Sequence, residues 1–387
     1  MAAVDDRWHR TDRATGAKVP TARYGVGKRW VARWRDDTGT QRSKAFDRKT
    51  DASQWVANVT TDLDRGAYVD PAAGKQTFRD YAERWRADQL HHRPATAAQA
   101  ESRLRLWVYP VIGDRPISTI RRSDVQRVVS LAAERNAPST VGVIYAYMSA
   151  VFKAAAVDRV VSSSPCVKIK LPERQRQRIV PLTTDQVGVI AGRVDARYRA
   201  LVLVAAATGL RSGELRGLTV DRITPSLHLR TDVPPQQASL RVDRQLIGVD
   251  GDSHPVFGPV KTPAADRVVP IGASTTRLLA EHLAAHGPGN GGAVFHDRDA
   301  RPVDRSRAGH IWRAAVPDLQ LRQRSGWHDL RHYHASLLIA AGLSPRAVAD
   351  RLGHEDVAET LRTYSHLWVD DEQRAVAAAE QALAGVL

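Results

Sequence analysis

Residues 327–334 read Trp327-His328-Asp329-Leu330-Arg331-His332-Tyr333-His334. A histidine and an arginine three positions apart share one helix face, and the spacing predicts a helix over 328–341. Outward toward the C-terminus come Leu352-Gly353-His354 and then Thr363-Tyr364-Ser365-His366. Outward toward the N-terminus lies Ala207-Thr208-Gly209-Leu210-Arg211-Ser212-Gly213-Glu214-Leu215. Two arginines, two histidines and a tyrosine are the groups that a metal-free phosphodiester transfer requires.

That chemistry needs a nucleophile in line with the leaving oxygen, cations on the non-bridging oxygens, and a proton for the leaving alkoxide. Arginine donates two bonds to one phosphate through its planar fork. Lysine or histidine handles protons, and tyrosine can attack and store the bond as an ester. Gly209 predicts the end of one helix and Ser212 the cap of the next. Arg211 would then lie beside a helix N-terminus, oriented by Glu214. His354 falls in a turn after Gly353. Beyond Ile179 the tyrosines are Tyr198, Tyr333 and Tyr364. Tyr198 begins a buried helix and Tyr333 faces away from Arg331, which leaves Tyr364. His332 and His334 read as packing or hydrogen-bonding residues. His328 and His332 have zinc-helix spacing, but Asp329 stands where a metalloprotease has glutamate, and no third ligand is evident.

The chain has 387 residues, 43% hydrophobic and 26% charged, enough for two or three domains. Its net charge of +15 points to a polyanion, most often nucleic acid. No apolar run of membrane-spanning length and no secretion signal is read, so no membrane is expected. A single cysteine, Cys166, fits a reducing cytoplasm. The chain has 9 lysines against 48 arginines, and Lys261 is the one lysine after Ile179. Lysine can give up its proton where arginine cannot, so Lys261, in Gly258-Pro259-Val260-Lys261-Thr262-Pro263 at an apparent hairpin, is a candidate acid.

The fold class expected is multidomain and mainly α with small β-sheets. Residues 1–70 read as a small sheet plus a helix. Lys28 to Arg35 alternates as a strand with Trp30, Ala32 and Trp34 inward and Arg29, Val31, Arg33 and Arg35 outward. A turn at 36–39, a return strand from Gln41 to Phe46 and a helix from Thr50 to Arg65, stopped by Gly66, complete it. Residues 75–165 read as helices over 77–88, 95–108, 123–135 and 139–158, broken at Tyr109-Pro110. Residues 166–180 form a basic linker too polar to pack. Residues 181–387 form a mixed α+β domain. Its helices are predicted from a cap at Thr184 or Asp185 to Gly192, then at 197–208, 275–286, 306–316, 328–341, 345–352 and 372–384. Its strands are predicted at 227–230, 239–247 and 267–271.

Arg211 in Thr208-Gly209-Leu210-Arg211-Ser212-Gly213-Glu214, Lys261 on its hairpin, His328 with Arg331, Gly353-His354 and the final Tyr364 together resemble the tyrosine recombinase (phage integrase) family. Every position of that pattern is filled. Gly113-Asp114-Arg115-Pro116 resembles the family's helical core-binding domain, and residues 20–66 resemble the arm-binding sheet domain of phage-type members. The resemblance implies site-specific cutting and rejoining of DNA through a 3′-phosphotyrosine at Tyr364. It implies Arg211 and Arg331 on the phosphate, Lys261 protonating the leaving 5′-oxygen, His328 assisting proton transfer and His354 hydrogen-bonding the phosphate. It implies no cofactor, no metal and no ATP. The partners implied are double-stranded DNA at core-type and arm-type sites, a homotetramer on DNA with the tail after Glu372 on a neighbour, a host DNA-bending protein and a directionality factor. The place implied is the cytoplasm of a bacterial host, at the nucleoid. A chromosome-dimer resolving recombinase, which would lack the arm domain, a non-cutting regulator of the same fold, a zinc hydrolase and a type IB topoisomerase are the rivals.

Overall fold

A computed structural model describes all residues except 1, 14, 37–38, 66–67, 71–72, 174–177, 228–236, 324, 369–370 and 385–387. The predicted stop at Gly66, most of the predicted strand at 227–230, and parts of the turn at 36–39, the linker and the C-terminal tail lie outside the described residues. The chain divides into two compact units, Met1–Arg176 and Gln177–Leu387, so the boundary falls inside the predicted linker.

The first unit opens with strands β1 (Ala3–Asp6), β2 (His9–Thr11), β3 (Lys18–Pro20), β4 (Trp30–Arg35) and β5 (Gln41–Phe46), followed by helix α1 (Lys49–Asp64). A three-stranded antiparallel sheet has the order β1-β4-β5, and β2 pairs with β3. Alternation in β4 buries Ala32 and Trp34. Trp34, Val59 and Tyr68 form a small core, with the Trp34 Nε1–H donating to the Tyr68 hydroxyl at 2.9 Å. The outward face is basic as read, yet partly neutralised: Arg33 pairs with Asp5 and Arg29 with Asp6, each at 2.8 Å.

Four helices then follow: α2 (Phe78–Ala87), α3 (Pro94–Arg103), α4 (Arg122–Ala133) and α5 (Pro138–Val157). Thr77 caps α2 by accepting from the Asp80 N–H at 3.1 Å. The predicted break at Tyr109-Pro110 does not occur. The chain continues from α3 as a π-helical segment, Leu104–Gly113, with Pro110 inside it. A proline ring collides with the carbonyl a normal turn below. The wider turn relieves that collision and keeps Leu104, Val108, Tyr109 and Ile112 in the core. Helix α5 is long and apolar enough to cross a membrane by length and composition. Its Val141, Ile144, Met148, Val151 and Phe152 instead fill the helical core.

The start of the linker is also docked, contrary to the reading of an unpacked tether. Cys166 and Ile169 pack against the helical core. Tyr145 donates its hydroxyl to the Cys166 carbonyl at 3.1 Å, Arg122 Nη2 to the Lys168 carbonyl at 2.7 Å, and Lys170 N–H to Gln126 Oε1 at 2.9 Å. Cys166 and Ile169 supply the packing, and the backbone carbonyls supply acceptors for side chains of α4 and α5.

The second unit contains α6 (Thr184–Arg193), α7 (Ala196–Thr208), α8 (Ser212–Arg216), β6 (Ile223–Thr224), β7 (Ala238–Val242), β8 (Arg244–Val249), β9 (Pro255–Pro259), β10 (Arg267–Ile271), α9 (Ala273–His286), α10 (Arg305–Ala315), α11 (His328–Ala340), α12 (Pro345–Leu352), α13 (Val357–Tyr364) and α14 (Asp371–Leu383). Thr183, rather than Thr184 or Asp185, caps α6, accepting from Gln186 N–H at 3.1 Å. The single strand predicted over 239–247 is two strands. β7 joins the sheet β10-β7-β6 while β8 pairs with β9, and the chain changes sheets at Asp243, which Arg222 anchors at 3.0 Å. Helix α13 was not anticipated. Asp356 caps it by accepting from Ala358 N–H at 2.9 Å, and Thr360 and Tyr364 fall on its buried face.

Candidate active site

The site grows from the end of α7. Its apolar residues Leu201, Val202 and Val204 are fully buried, and Gly209 terminates it in a left-handed conformation with φ of 65°. A helix C-terminus leaves carbonyls without partners. Here α11, packed against α7, supplies donors. Arg331 Nη1 donates to the Gly209 carbonyl at 2.8 Å, and His334 Nδ1 lies 3.1 Å from the Ala206 carbonyl. The partial negative charge at that helix end favours the arginine. No side chain fits at 209, because a Cβ would stand 2.6 Å from His334 Cδ2.

Arg211, two residues on, is itself the cap residue of α8, where Ser212 was expected. Its backbone N–H donates to Glu214 Oε2 at 3.1 Å, its Nη1 to Glu214 Oε1 at 2.9 Å, and its Nη2 to the Gly353 carbonyl at 2.9 Å. Glu214 is buried and also accepts from Arg267 Nη2 at 3.2 Å. The acid therefore orients Arg211, as its spacing suggested, and holds a second guanidinium that sequence reading missed. A signal for Arg267 existed: it lies in register with buried Val269 and Ile271 on β10, where an arginine requires a buried acid.

Arg331 is 1% exposed, yet its Nη2 has no hydrogen-bond partner among the described residues. Burial, then the charge of Arg211, pushes its pKa down to about 9. A guanidinium remains charged in proteins, so the direction records an enclosed cation whose burial and neighbouring Arg211 outweigh the nearby Glu214.

Tyr364 is also 1% exposed, at the end of α13, with its hydroxyl 2.8 Å from His332 Nδ1. Burial pushes the phenol up to about 12, and Arg331 pulls in the opposite direction. The His332 ring meets the His328 ring edge to face at 4.5 Å between centroids. Burial, then His328, lowers His332 to about 3. Desolvation, then Arg331, lowers His328 to about 4, although the side chain opens to solvent at the start of α11. His354 is buried, with Nδ1 2.6 Å from Thr360 Oγ1; burial, then Arg331, lowers it to about 3. For all three, burial and the neighbouring cations favour the neutral imidazole. Asp329 is taken by Arg322 and by Gly326 N–H at 2.9 Å, which fixes the loop before α11.

Arg211, His328, Arg331, His354 and Tyr364 thus act electrostatically on one another. Lys261 lies exposed on the loop after β9. The same loop reaches Gly353, where a Cβ would be 3.0 Å from the Ala264 carbonyl, so Lys261 is three residues from a contact with the turn bearing His354. Besides Arg267, two members of the site escaped the sequence reading. Thr360 belongs to the helix that was not anticipated. His332 was read as a packing or hydrogen-bonding residue, without the tyrosine as its partner. Its position next to Arg331, one turn after His328, was the available signal.

Comparison with known proteins gives the family. Residues 171–370 match the phage integrase family and residues 78–171 the phage integrase central domain. A putative prophage phiRv2 integrase of Mycobacterium tuberculosis is 28% identical over 337 residues, covering 84% of this chain and 84% of the relative. The Tn1549 transposon integrase bound to a circular intermediate DNA superposes with a TM-score of 0.66 at 18% identity, over 78% of this chain and 99% of that one. A lambda integrase tetramer bound to a Holliday junction superposes with a TM-score of 0.56 at 16% identity, over 85% of this chain and 94% of that one. This chain belongs to the phage integrase family, the site-specific tyrosine recombinases that cut and rejoin DNA.

Proposed function

We propose that this integrase integrates and excises a phage or other mobile element, with Tyr364 as the nucleophile that forms a 3′-phosphotyrosine and frees a 5′-hydroxyl. Arg211 and Arg331 hold the non-bridging oxygens, and His354 hydrogen-bonds the same phosphate. Lys261 protonates the leaving 5′-oxygen and His328 assists proton transfer. The observation that carries this reading is Arg331 Nη2, an enclosed donor with no partner, beside Arg211 and an enclosed tyrosine hydroxyl. A buried cation without an anion is costly, and a phosphate oxygen satisfies it.

The domain roles follow the same reading. Residues 1–70 take arm-type sites, 75–165 and 181–387 each bind core-type DNA, and 166–180 connect them. The lambda integrase tetramer on a Holliday junction supports a homotetramer on DNA. A host DNA-bending protein and a directionality factor would complete the assembly, in the cytoplasm of a bacterial host.

The test is a suicide duplex carrying a nicked core-type site from the element's own junction. The wild-type chain is expected to form a covalent protein–DNA adduct. Tyr364→Phe is expected to form none while still binding the duplex. Arg331→Ala is expected to slow adduct formation by about 10²–10³-fold, the usual loss for one preorganised charge-stabilising group. An adduct that survives Tyr364→Phe overturns the assignment.

A further inference from the structure

The proton of the attacking hydroxyl needs a destination. The arrangement read from the sequence gives proton transfer to His328. In the structure His328 is one ring removed from the phenol. The atom at hydrogen-bond distance is Nδ1 of His332, 2.8 Å from the Tyr364 hydroxyl. Both partners are enclosed, His332 at 6% exposure and Tyr364 at 1%. On its other side the ring meets that of His328, 4.5 Å away between centroids. We propose that His332 is a further catalytic residue of strand cleavage, the acceptor of the Tyr364 phenol proton, with His328 as the ring that positions it.

This rests on Tyr364 being the nucleophile. The step balances as follows. The Tyr364 O–H bond breaks and its proton passes to His332 Nδ1. The phenolic oxygen forms the bond to phosphorus. The bond from phosphorus to the 5′-oxygen breaks, and that oxygen takes a proton from Lys261. In rejoining, the imidazolium returns its proton to the departing phenolate. His332 must therefore begin neutral, with the proton on Nε2 and Nδ1 free to accept. The surroundings favour that form: burial, His328, Arg322, Arg331 and His354 all oppose protonation. The scissile phosphate brings negative charge to Arg211 and Arg331. It thereby weakens the field that keeps His332 neutral, at the moment the proton must move. A base that becomes stronger when substrate arrives also suppresses ionisation of the tyrosine in its absence.

The experiment uses the full chain and the suicide duplex. His332→Asn places an amide oxygen where Nδ1 stands, keeping the hydrogen bond but unable to take a proton. Adduct formation at neutral pH is expected to fall by about 10²-fold, at the lower end for loss of a general base. Duplex binding is expected to be unchanged. A 5′-bridging phosphorothiolate, whose leaving group needs no protonation, is expected to restore Lys261→Ala and not His332→Asn. Fluorotyrosine at 364, a more acidic phenol, is expected to restore His332→Asn. Wild-type rates in His332→Asn, or rescue by the phosphorothiolate, overturn the proposal. A second measurement needs no change at 332. With ¹⁵N-labelled histidine, the His332 Nδ1 resonance is expected to be that of an unprotonated acceptor and to shift in Tyr364→Phe. A protonated Nδ1 overturns the proposal. Loss of the adduct in Tyr364→Phe tests the nucleophile alone, so the two readings fail separately.

Discussion

Replacing Glu214 by alanine removes the carboxylate that Arg211 and Arg267 share. Glu214 has 2% of its side chain exposed, Arg267 has 9% and Arg211 has 21%. Arg267 keeps the Ala265 and Arg351 carbonyls as acceptors, and Arg211 keeps Gly353. Both lose their counter-charge, and Arg331 adds a third cation nearby. Breaking an enclosed ion pair from one side costs about 3–5 kcal/mol. Solvent around Arg211 reduces its share, so Arg267 carries most of the loss, and about 3 kcal/mol is expected for Glu214→Ala. Glu214→Gln keeps one acceptor oxygen and is expected to lose about half as much. Urea titration of the full chain provides the assay, with hydrogen exchange followed in peptides spanning 212–216 and 267–271 so that the second unit is reported separately. Sulfate is expected to stabilise Glu214→Ala more than the wild type, because a bound anion replaces the missing charge. A Glu214→Ala chain within about 1 kcal/mol of wild type, insensitive to sulfate, would refute the argument that this acid carries the cationic cluster.

Two further outcomes are expected. Gly209→Ala forces a side chain into a left-handed backbone against His334 and displaces the carbonyl that holds Arg331. A loss of about 3 kcal/mol or more in a urea titration is expected, with slowed adduct formation. Acid will destabilise the second unit earlier than carboxylate titration alone would. His332 and His354 near 3 and His334 near 4 bind protons less readily folded than unfolded. Their stabilisation is therefore complete above the unfolded value of about 6.5 and falls as pH drops toward the folded values, by roughly 2 kcal/mol per fully buried histidine at pH 5. Urea midpoints that stay flat from pH 7 to 5 would contradict this.

Much of the architecture was legible because local signals and burial agreed. In β4 the alternation that puts Trp34 inward is also the alternation that packs α1. In α7 an apolar run ends at a glycine that the next turn needs. The failures came where tertiary demands outweighed a local rule. Pro110 reads as a break, yet four core residues around it keep the helix going through a widened turn. The linker reads as solvated, yet its carbonyls satisfy Arg122 and Gln126. The strand over 239–247 reads as continuous because periodicity does not record a change of partner sheet. The pattern Arg211, His328, Arg331, His354 and Tyr364 was legible because each residue type suits one task in phosphate chemistry. The residues supporting them were harder to see. Arg267 and Thr360 touch no reacting atom, and nothing in local spacing links a β10 arginine to an α8 glutamate 53 positions away.

The balance of charge in the site explains why those supporting residues matter. Arg211, Arg267 and Arg331 crowd around one buried carboxylate, and the nearby imidazoles are held neutral by the same cations and by burial. Left alone, such a cluster opposes folding. It is tolerated because each guanidinium has backbone carbonyls at fixed distance, at Gly209, Gly353, Ala265 and Arg351. Carbonyls satisfy hydrogen bonds without supplying a full negative charge, so a need for charge persists and is localised at Arg331 Nη2. An incoming phosphate then gains from cations already desolvated and oriented, with little reorganisation at the moment of reaction. The same phosphate relieves the field acting on His332 and Tyr364. With the roles proposed for Tyr364 and His332, binding and activation of the nucleophile become one electrostatic event, and a duplex with a neutral methylphosphonate at the scissile position should bind without bringing the His332–Tyr364 pair into play.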